Sequence, residues 1–365
     1  MKKLIVYALG LAFSGSFFTS CKKNTNDNGS GGSTDSIYVS LSRATVEYNN
    51  FDYVAVTVRD KSGTDITSSC SILLNGSTAI NSKYVPNGLG TYNITAKKGS
   101  SPSDVKTLTV VPKSASPFSQ KILLEDCTGA WCGYCTRVAY SLETYKATHP
   151  NCIVVGVHGG SSGTDPFKFQ YYTTYNNKFA VSGYPTAILN RKSEWSEETA
   201  DLDAALQNWA PLGLSINSSV NGSNITGSVK VKFNVTTDKS MKLVIALVEN
   251  GLVYPQVNYY SPQYGATPYL YGGVSPVSNF VHNGVLRRTS TDLFGDLIPV
   301  SAEVKDNVYE LPFNIPVTGQ VYGGSPYTAD PSKCEIVAFV VDGSTLNKGV
   351  YNAQAAPVGV NQNFD

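Results

Sequence analysis

Two cysteines spaced as Cys132-Gly133-Tyr134-Cys135 follow the apolar run Ile122-Leu123-Leu124 by one short turn. That spacing constrains the middle of the chain to a strand, a tight turn and a helix, with the cysteine pair at the helix start. A thiol placed there faces unpaired backbone N–H groups and the positive end of the helix dipole, and both favour its thiolate. Cys132 is therefore placed to attack, and Cys135, one turn inward, to resolve a mixed disulfide. Trp131 precedes the pair, and Gly183-Tyr184-Pro185-Thr186 follows about fifty residues later. A proline in that later loop is where a thiol–disulfide enzyme would grip an extended substrate.

The surrounding pattern alternates strand and helix, the mark of a sheet with parallel strands. A helix is predicted from about Cys132 to Thr148, with Val138, Leu142 and Tyr145 on one face. Cys152 to Val157 is continuously apolar, as a strand buried on both faces should be. Asp165-Pro166 reads as a helix start, Thr186 to Leu189 as a strand, and Leu202, Ala205, Leu206 and Trp209 as a closing amphipathic helix. This α/β domain spans about 117–211.

Both flanks read as β. In 36–112, Val54, Val56 and Val58 alternate with Ala55 and Thr57, Tyr92, Ile94 and Ala96 repeat the period, and Asp60-Lys61-Ser62-Gly63 supplies a turn. Short strands at this spacing predict a small immunoglobulin-like sandwich acting as a spacer. In 212–365, Val229, Val231, Phe233 and Val235 alternate, and Met241–Val248 and Glu335–Val341 read as strands of a C-terminal β-sandwich domain. The predicted fold class is thus multidomain α/β plus all-β.

The N-terminus carries Lys2 and Lys3, the apolar run Leu4 to Phe13 and a small-residue zone ending at Ser20-Cys21. Residues 1–20 read as a signal peptide too short to span a bilayer. Phe18-Thr19-Ser20-Cys21 resembles a bacterial lipobox, which implies acylation of Cys21 and anchorage in the lipid bilayer. Residues 21–35, rich in Asn, Gly, Ser and Thr, form a flexible tether. The chain has 28 Lys+Arg against 27 Asp+Glu, so no basic surface for nucleic acid is expected.

The stretch Leu123-Leu124-Glu125-Asp126-Cys127-Thr128-Gly129-Ala130-Trp131-Cys132-Gly133-Tyr134-Cys135 resembles the strand-to-active-site segment of thioredoxin-fold proteins. The resemblance implies that Asp126 is a buried acid shuttling a proton for the resolving cysteine. It also implies that Pro185 is a cis-proline whose preceding residue, Tyr184, offers backbone hydrogen bonds to the substrate. With an acylated cysteine, a β module and Asn279-Phe280-Val281-His282-Asn283-Gly284-Val285-Leu286-Arg287 in a β-rich end, the layout is similar to the family of lipoproteins related to the 28-kilodalton outer-membrane protein. That likeness implies an outer-membrane location, with the periplasmic and surface faces both open.

Two functions follow. The first is an anchored thiol–disulfide oxidoreductase acting on exported cysteine-containing proteins, with Cys132, Cys135 and Asp126 catalytic and Trp131, Tyr184 and Pro185 meeting substrate. It needs no cofactor, and no metal is expected because a zinc site normally needs a second ligand pair. The second is a non-catalytic surface lipoprotein whose cysteine pair is a structural disulfide. In that case the tyrosine-rich stretch Tyr254 to Tyr271 is a candidate surface for a glycan or protein ligand. Of seven cysteines, Cys70, Cys127, Cys152 and Cys334 lie outside the pair and the anchor. Cys127 and Cys152 are expected at opposite ends of neighbouring parallel strands, too far apart to bridge.

Overall fold

The protein is represented by a computed structural model that describes residues 36–160, 162–260, 273–344 and 349–365. The predicted signal peptide, Cys21 and the predicted tether lie outside the described residues, as does the tyrosine-rich stretch beyond Tyr260.

The N-terminal module is built of two sheets. Ile37–Leu41, Val54–Asp60 and Lys83–Tyr84 form one; Thr45–Tyr48, Lys106–Pro112, Gly90–Lys98, Ser71–Leu74 and Thr78–Ile80 run in that order through the other. The alternating residues named above supply the core between them: Val54, Val56, Val58, Ile94, Ala96 and Leu108 are buried. The expected turn at Gly63 is present, with its positive φ of 86° and an N–H donated to the Asp60 carbonyl.

The rest of the chain is organised on one nine-stranded sheet. Its principal elements are β1 (Ile122–Thr128), α1 (Cys135–Thr148), β2 (Cys152–His158), α2 (Tyr172–Phe179), β3 (Thr186–Leu189), α3 (Thr199–Leu206), β4 (Met241–Glu249), β5 (Val285–Thr289), β6 (Cys334–Asp342) and β7 (Val350–Pro357). From the edge strand Ser193–Glu194 the order is β3, β1, β2, β5, β4, β6, β7. β1 and β2 are parallel, Ile122 opposite Cys152 and Cys127 opposite Val157, so Cys127 and Cys152 do sit at opposite ends of the pair. Both are buried free thiols, as is Cys334, while Cys70 is a half-buried one.

Period-two side-chain alternation assigns the two faces of this sheet. On one face, Ile122, Leu124 and Cys152 meet Val138 and Leu142 of α1 and Leu202 of α3. On the other, Leu123, Cys127, Val155 and Val157 meet Phe169, Tyr172 and Tyr175. That second core continues without a break into Val244, Val248, Val337 and Phe339 of β4 and β6. The opposite face of β4 and β6 is covered by a three-stranded layer, Leu212–Asn221, Asn224–Phe233 and Val308–Pro316, through Leu214, Val231, Leu243, Ile245 and Ile336. The expected sandwich of C-terminal strands is therefore one end of a sheet whose other end carries the cysteine pair.

The seam is the parallel contact of β2 with β5, a single register pair, Gly156 with Val285. Gly284 makes it close enough: Gly156 N–H donates to its carbonyl at 2.7 Å. Gly284 has φ 63°, and a Cβ there would lie 2.6 Å from the Val154 carbonyl oxygen. Gly284→Ala combines left-handed strain with a backbone clash, so we expect a loss of about 2–4 kcal/mol, read as a lowered urea midpoint. A midpoint within error of the wild type would show that the seam adjusts freely.

Three local expectations are corrected. Asp165-Pro166 starts a turn, not a helix; α2 begins only at Tyr172. The Asp165 carboxylate is committed instead to His158 and to the Ala130 and Phe167 N–H groups. α1 begins at Cys135, three residues later than predicted, because Gly129 to Tyr134 is wound into a turn, with Cys132 N–H on the Gly129 carbonyl. Trp209 lies past α3, and its Nε1–H donates to the Ser114 carbonyl.

Candidate functional site

The site gathers where β1 ends and α1 begins. Cys132 and Cys135 are joined by a disulfide with Cα atoms 5.4 Å apart. Cys132 is only 3% exposed and Cys135 1%. Between them Tyr134 is half exposed.

Asp126 lies on β1, on the same face as Ile122 and Leu124, and so on the side of α1 and Cys135. It is buried, its Oδ1 has no hydrogen-bond partner, and burial pushes its carboxyl up to about 7, with Glu197 adding to the rise and His158 opposing it. Glu125, one residue back, points to the other face and is buried against Arg191. Its carboxylate takes Arg191 Nε at 2.9 Å and Nη2 at 2.8 Å. Adjacent acids on one strand thus have opposite fates: Glu125 is paired in the core, and Asp126, its Oδ1 without a partner, lines a cavity with Cys135 on the α1 side.

Trp131 anchors the turn. Its Nε1–H donates to the Gly159 carbonyl at 2.9 Å, and its ring fills the space left by the absent side chains of Gly160 and Gly163. The ring also meets Tyr184 at a centroid distance of 5.5 Å. The Tyr184–Pro185 peptide bond is cis. Tyr184 is held by Asn176, whose Nδ2 donates to its hydroxyl at 2.8 Å. The structure thus brings Asp126, Trp131, Cys132, Cys135 and the Tyr184–Pro185 loop into one neighbourhood.

Three further polar residues near the site were not singled out as site residues from the sequence. His158 is the buried last residue of β2, and its Nδ1 lies 2.8 Å from Asp165 Oδ2. Burial raises the Asp165 carboxyl, but His158 and two backbone N–H donors outweigh it and hold the group below its usual value. His282 stacks edge-on with His158 at 5.2 Å, and burial, reinforced by His158, lowers it to about 4. Arg287 is buried with Nε 3.2 Å from Glu249 and its guanidinium over Tyr327.

The largest surprise is the start of the tyrosine-rich stretch. Residues 256–260 lie across the cysteine turn: Val257 N–H donates to the Ala130 carbonyl and Tyr259 N–H to the Gly133 carbonyl. The Gln256 amide donates to the Gly129 and Cys132 carbonyls at 3.1 and 2.8 Å. The Tyr259 ring sits over Gly133, where any Cβ would collide with it. Arg137 of α1 binds the Tyr260 hydroxyl at 2.6 Å and grips Glu197 through two further hydrogen bonds. Only this three-dimensional contact connects a proline-rich segment to cysteines more than a hundred residues earlier.

Fold and site together define a mostly β, multidomain protein with a Cys-x-x-Cys disulfide set under its own C-terminal segment. A family model described as outer membrane protein Omp28 matches residues 172–362, just over half of the chain. The chain belongs to that family, and it is a protein of the cell envelope at the outer membrane. The match begins at α2, after the cysteine pair. No curated protein matches the chain. Among solved structures, HBP35 of Porphyromonas gingivalis is similar at 17% identity and a TM-score of 0.49, over 67% of this chain and 77% of that one.

Proposed function

We propose that the chain is an outer-membrane lipoprotein, anchored through Cys21, whose middle portion is a thioredoxin-like unit that exchanges disulfides with exported cysteine-containing proteins. The observation that carries this reading is the unpaired, buried Asp126 beside a disulfide at a helix start. A merely structural staple has no need of an acid with a pKa raised to about 7 next to it.

In the reduced state Cys132 thiolate attacks a substrate disulfide, forming a mixed disulfide and releasing one substrate thiolate. Asp126 carboxylate takes the Cys135 proton, and the Cys135 thiolate attacks Cys132 Sγ, closing the pair and expelling the second substrate thiolate. Two electrons pass to substrate; the reverse sequence oxidises it. The Trp131 edge and the Tyr184–Pro185 loop align the partner chain. The N-terminal module serves as an immunoglobulin-like spacer.

One observation favours a second reading. Cys132 is buried, and residues 256–260 occupy the turn where a substrate would lie. On that reading the disulfide is structural, and the protein binds a glycan or protein through the Tyr254–Tyr271 stretch.

The test is the reduction potential of the pair in protein carrying Cys21→Ser, with Cys135→Ala used to trap partners on Cys132. A potential between about −270 and −120 mV, with mixed disulfides trapped, is expected of an exchanger. A disulfide that stays closed below about −300 mV and traps nothing would establish the structural reading.

A further inference from the structure

A cavity of about 550 Å³ opens beside the disulfide, between α1, the ends of β1 and β2, and the C-terminal segment 280–284. Its size is that of a small-molecule site. Leu142, Val154 and Phe280 give it apolar walls, and the exposed Glu143 and Lys146 stand at its rim. Asp126 and Cys135 line it as well, and both are buried.

The buried polar groups of its wall are Asp126, Thr128, His158, Gln256 and His282. Asp126 is a carboxyl whose Oδ1 has no partner. His282 must keep a proton on Nε2 to bond the Tyr254 carbonyl, which leaves Nδ1 as an acceptor. Gln256, a potential donor, has its amide N–H groups committed to the Gly129 and Cys132 carbonyls. His158 turns its Nδ1 to Asp165, and the Thr128 hydroxyl can accept as well as donate, so Asp126 and His282 leave acceptors at the buried end, and an acceptor left unpaired in a dry wall costs stability that a donor would restore.

We propose that this cavity binds a small amine with an apolar body, its ammonium group paired with Asp126 and its body against Leu142, Val154 and Phe280. The inference goes beyond the exchange reaction and holds for either reading of the disulfide. Because Asp126 and Cys135 share the cavity wall, an occupied site would also withhold the carboxylate from the Cys135 proton, linking occupancy to the state of the pair.

The test is calorimetric titration of the full-length protein in detergent at pH 8, where the Asp126 carboxyl is ionised, with 2-phenylethylamine, and with 3-phenylpropanoate as the anion of similar shape. We expect saturable binding of the amine with a Kd of about 0.1–1 mM, and none of the anion. Asp126→Asn, nearly isosteric, should weaken the amine at least about tenfold. Ala147→Trp, at an exposed lining position on α1, should abolish binding by filling the cavity while leaving the circular dichroism unchanged. No binding of the amine up to about 10 mM overturns the proposal. So does binding that both variants leave intact, or preference for the anion. None of these readouts depends on disulfide exchange, so their failure is distinguishable from failure of the redox reading.

Discussion

Asp126→Asn removes a pH dependence that the wild-type protein will show: between pH 4 and pH 8 the wild type loses about 3–4 kcal/mol of stability that the variant keeps. The folded-state carboxyl titrates near 7, against 3.8 for the ordinary group. Below pH 4 both folded and unfolded chains hold the proton, and the group is neutral toward folding. As pH rises from about 4 to 7, the unfolded chain releases its proton while the folded chain keeps it, so stability falls. Above about 7 the folded carboxyl is also ionised, unpaired and buried, and the penalty is complete. His282 works in the opposite direction, since its folded pKa near 4 lies below the ordinary 6.5 and removes stability as pH falls through that interval. Comparing wild type with Asp126→Asn cancels His282 and isolates the acid. Urea unfolding at several pH values measures it, and parallel curves for the two proteins would show that Asp126 titrates normally. In disulfide exchange, the same variant should lose the inflection near pH 7 from its rate profile.

The second large effect lies on the opposite face of the same strand. Arg191→Met should cost about 3–5 kcal/mol, because it leaves Glu125 charged in the core with its guanidinium partner gone. Arg191 is 4% exposed and Glu125 1%, and Arg191 also donates to the Leu293 carbonyl at 3.0 Å and lies over the Phe339 ring. Glu125→Leu together with Arg191→Met should lose far less than the two single changes added, since apolar groups can replace a buried pair at little net cost. A double-mutant cycle in urea measures the coupling. Simple additivity would mean that the pair contributes nothing as a pair. The two experiments separate neighbours in sequence by environment: Glu125 is paired with Arg191 in the core, and Asp126 is buried on the α1 side with its Oδ1 unpartnered.

Much of this was legible in the sequence because it depends on local periodicity. β3 spans the predicted Thr186–Leu189, and β1, β2, β4 and β6 each fall within a residue or so of the apolar runs that announced them. Residues that alternate in the chain alternate between faces, so Glu125 and Asp126 could be assigned to opposite sides without coordinates. Helix starts were less secure. Asp165 has the chemistry of a capping residue, yet a buried His158 and the Ala130 N–H compete for it and win.

What the sequence by itself determined is most strands of the large sheet, the Cys132–Cys135 spacing just ahead of α1, and the placement of an acid on the α1 side of β1. These follow from spacings of two, three and four residues, which the backbone geometry reads directly. Only the tertiary structure decided that β5 docks on β2 through Gly284, that Gln256 to Tyr260 cover the cysteine turn, and that His158 meets His282 beside Asp126. Those contacts join segments far apart in the chain. They depend on close fit and on which buried polar groups find partners, and neither leaves a periodic trace in the sequence.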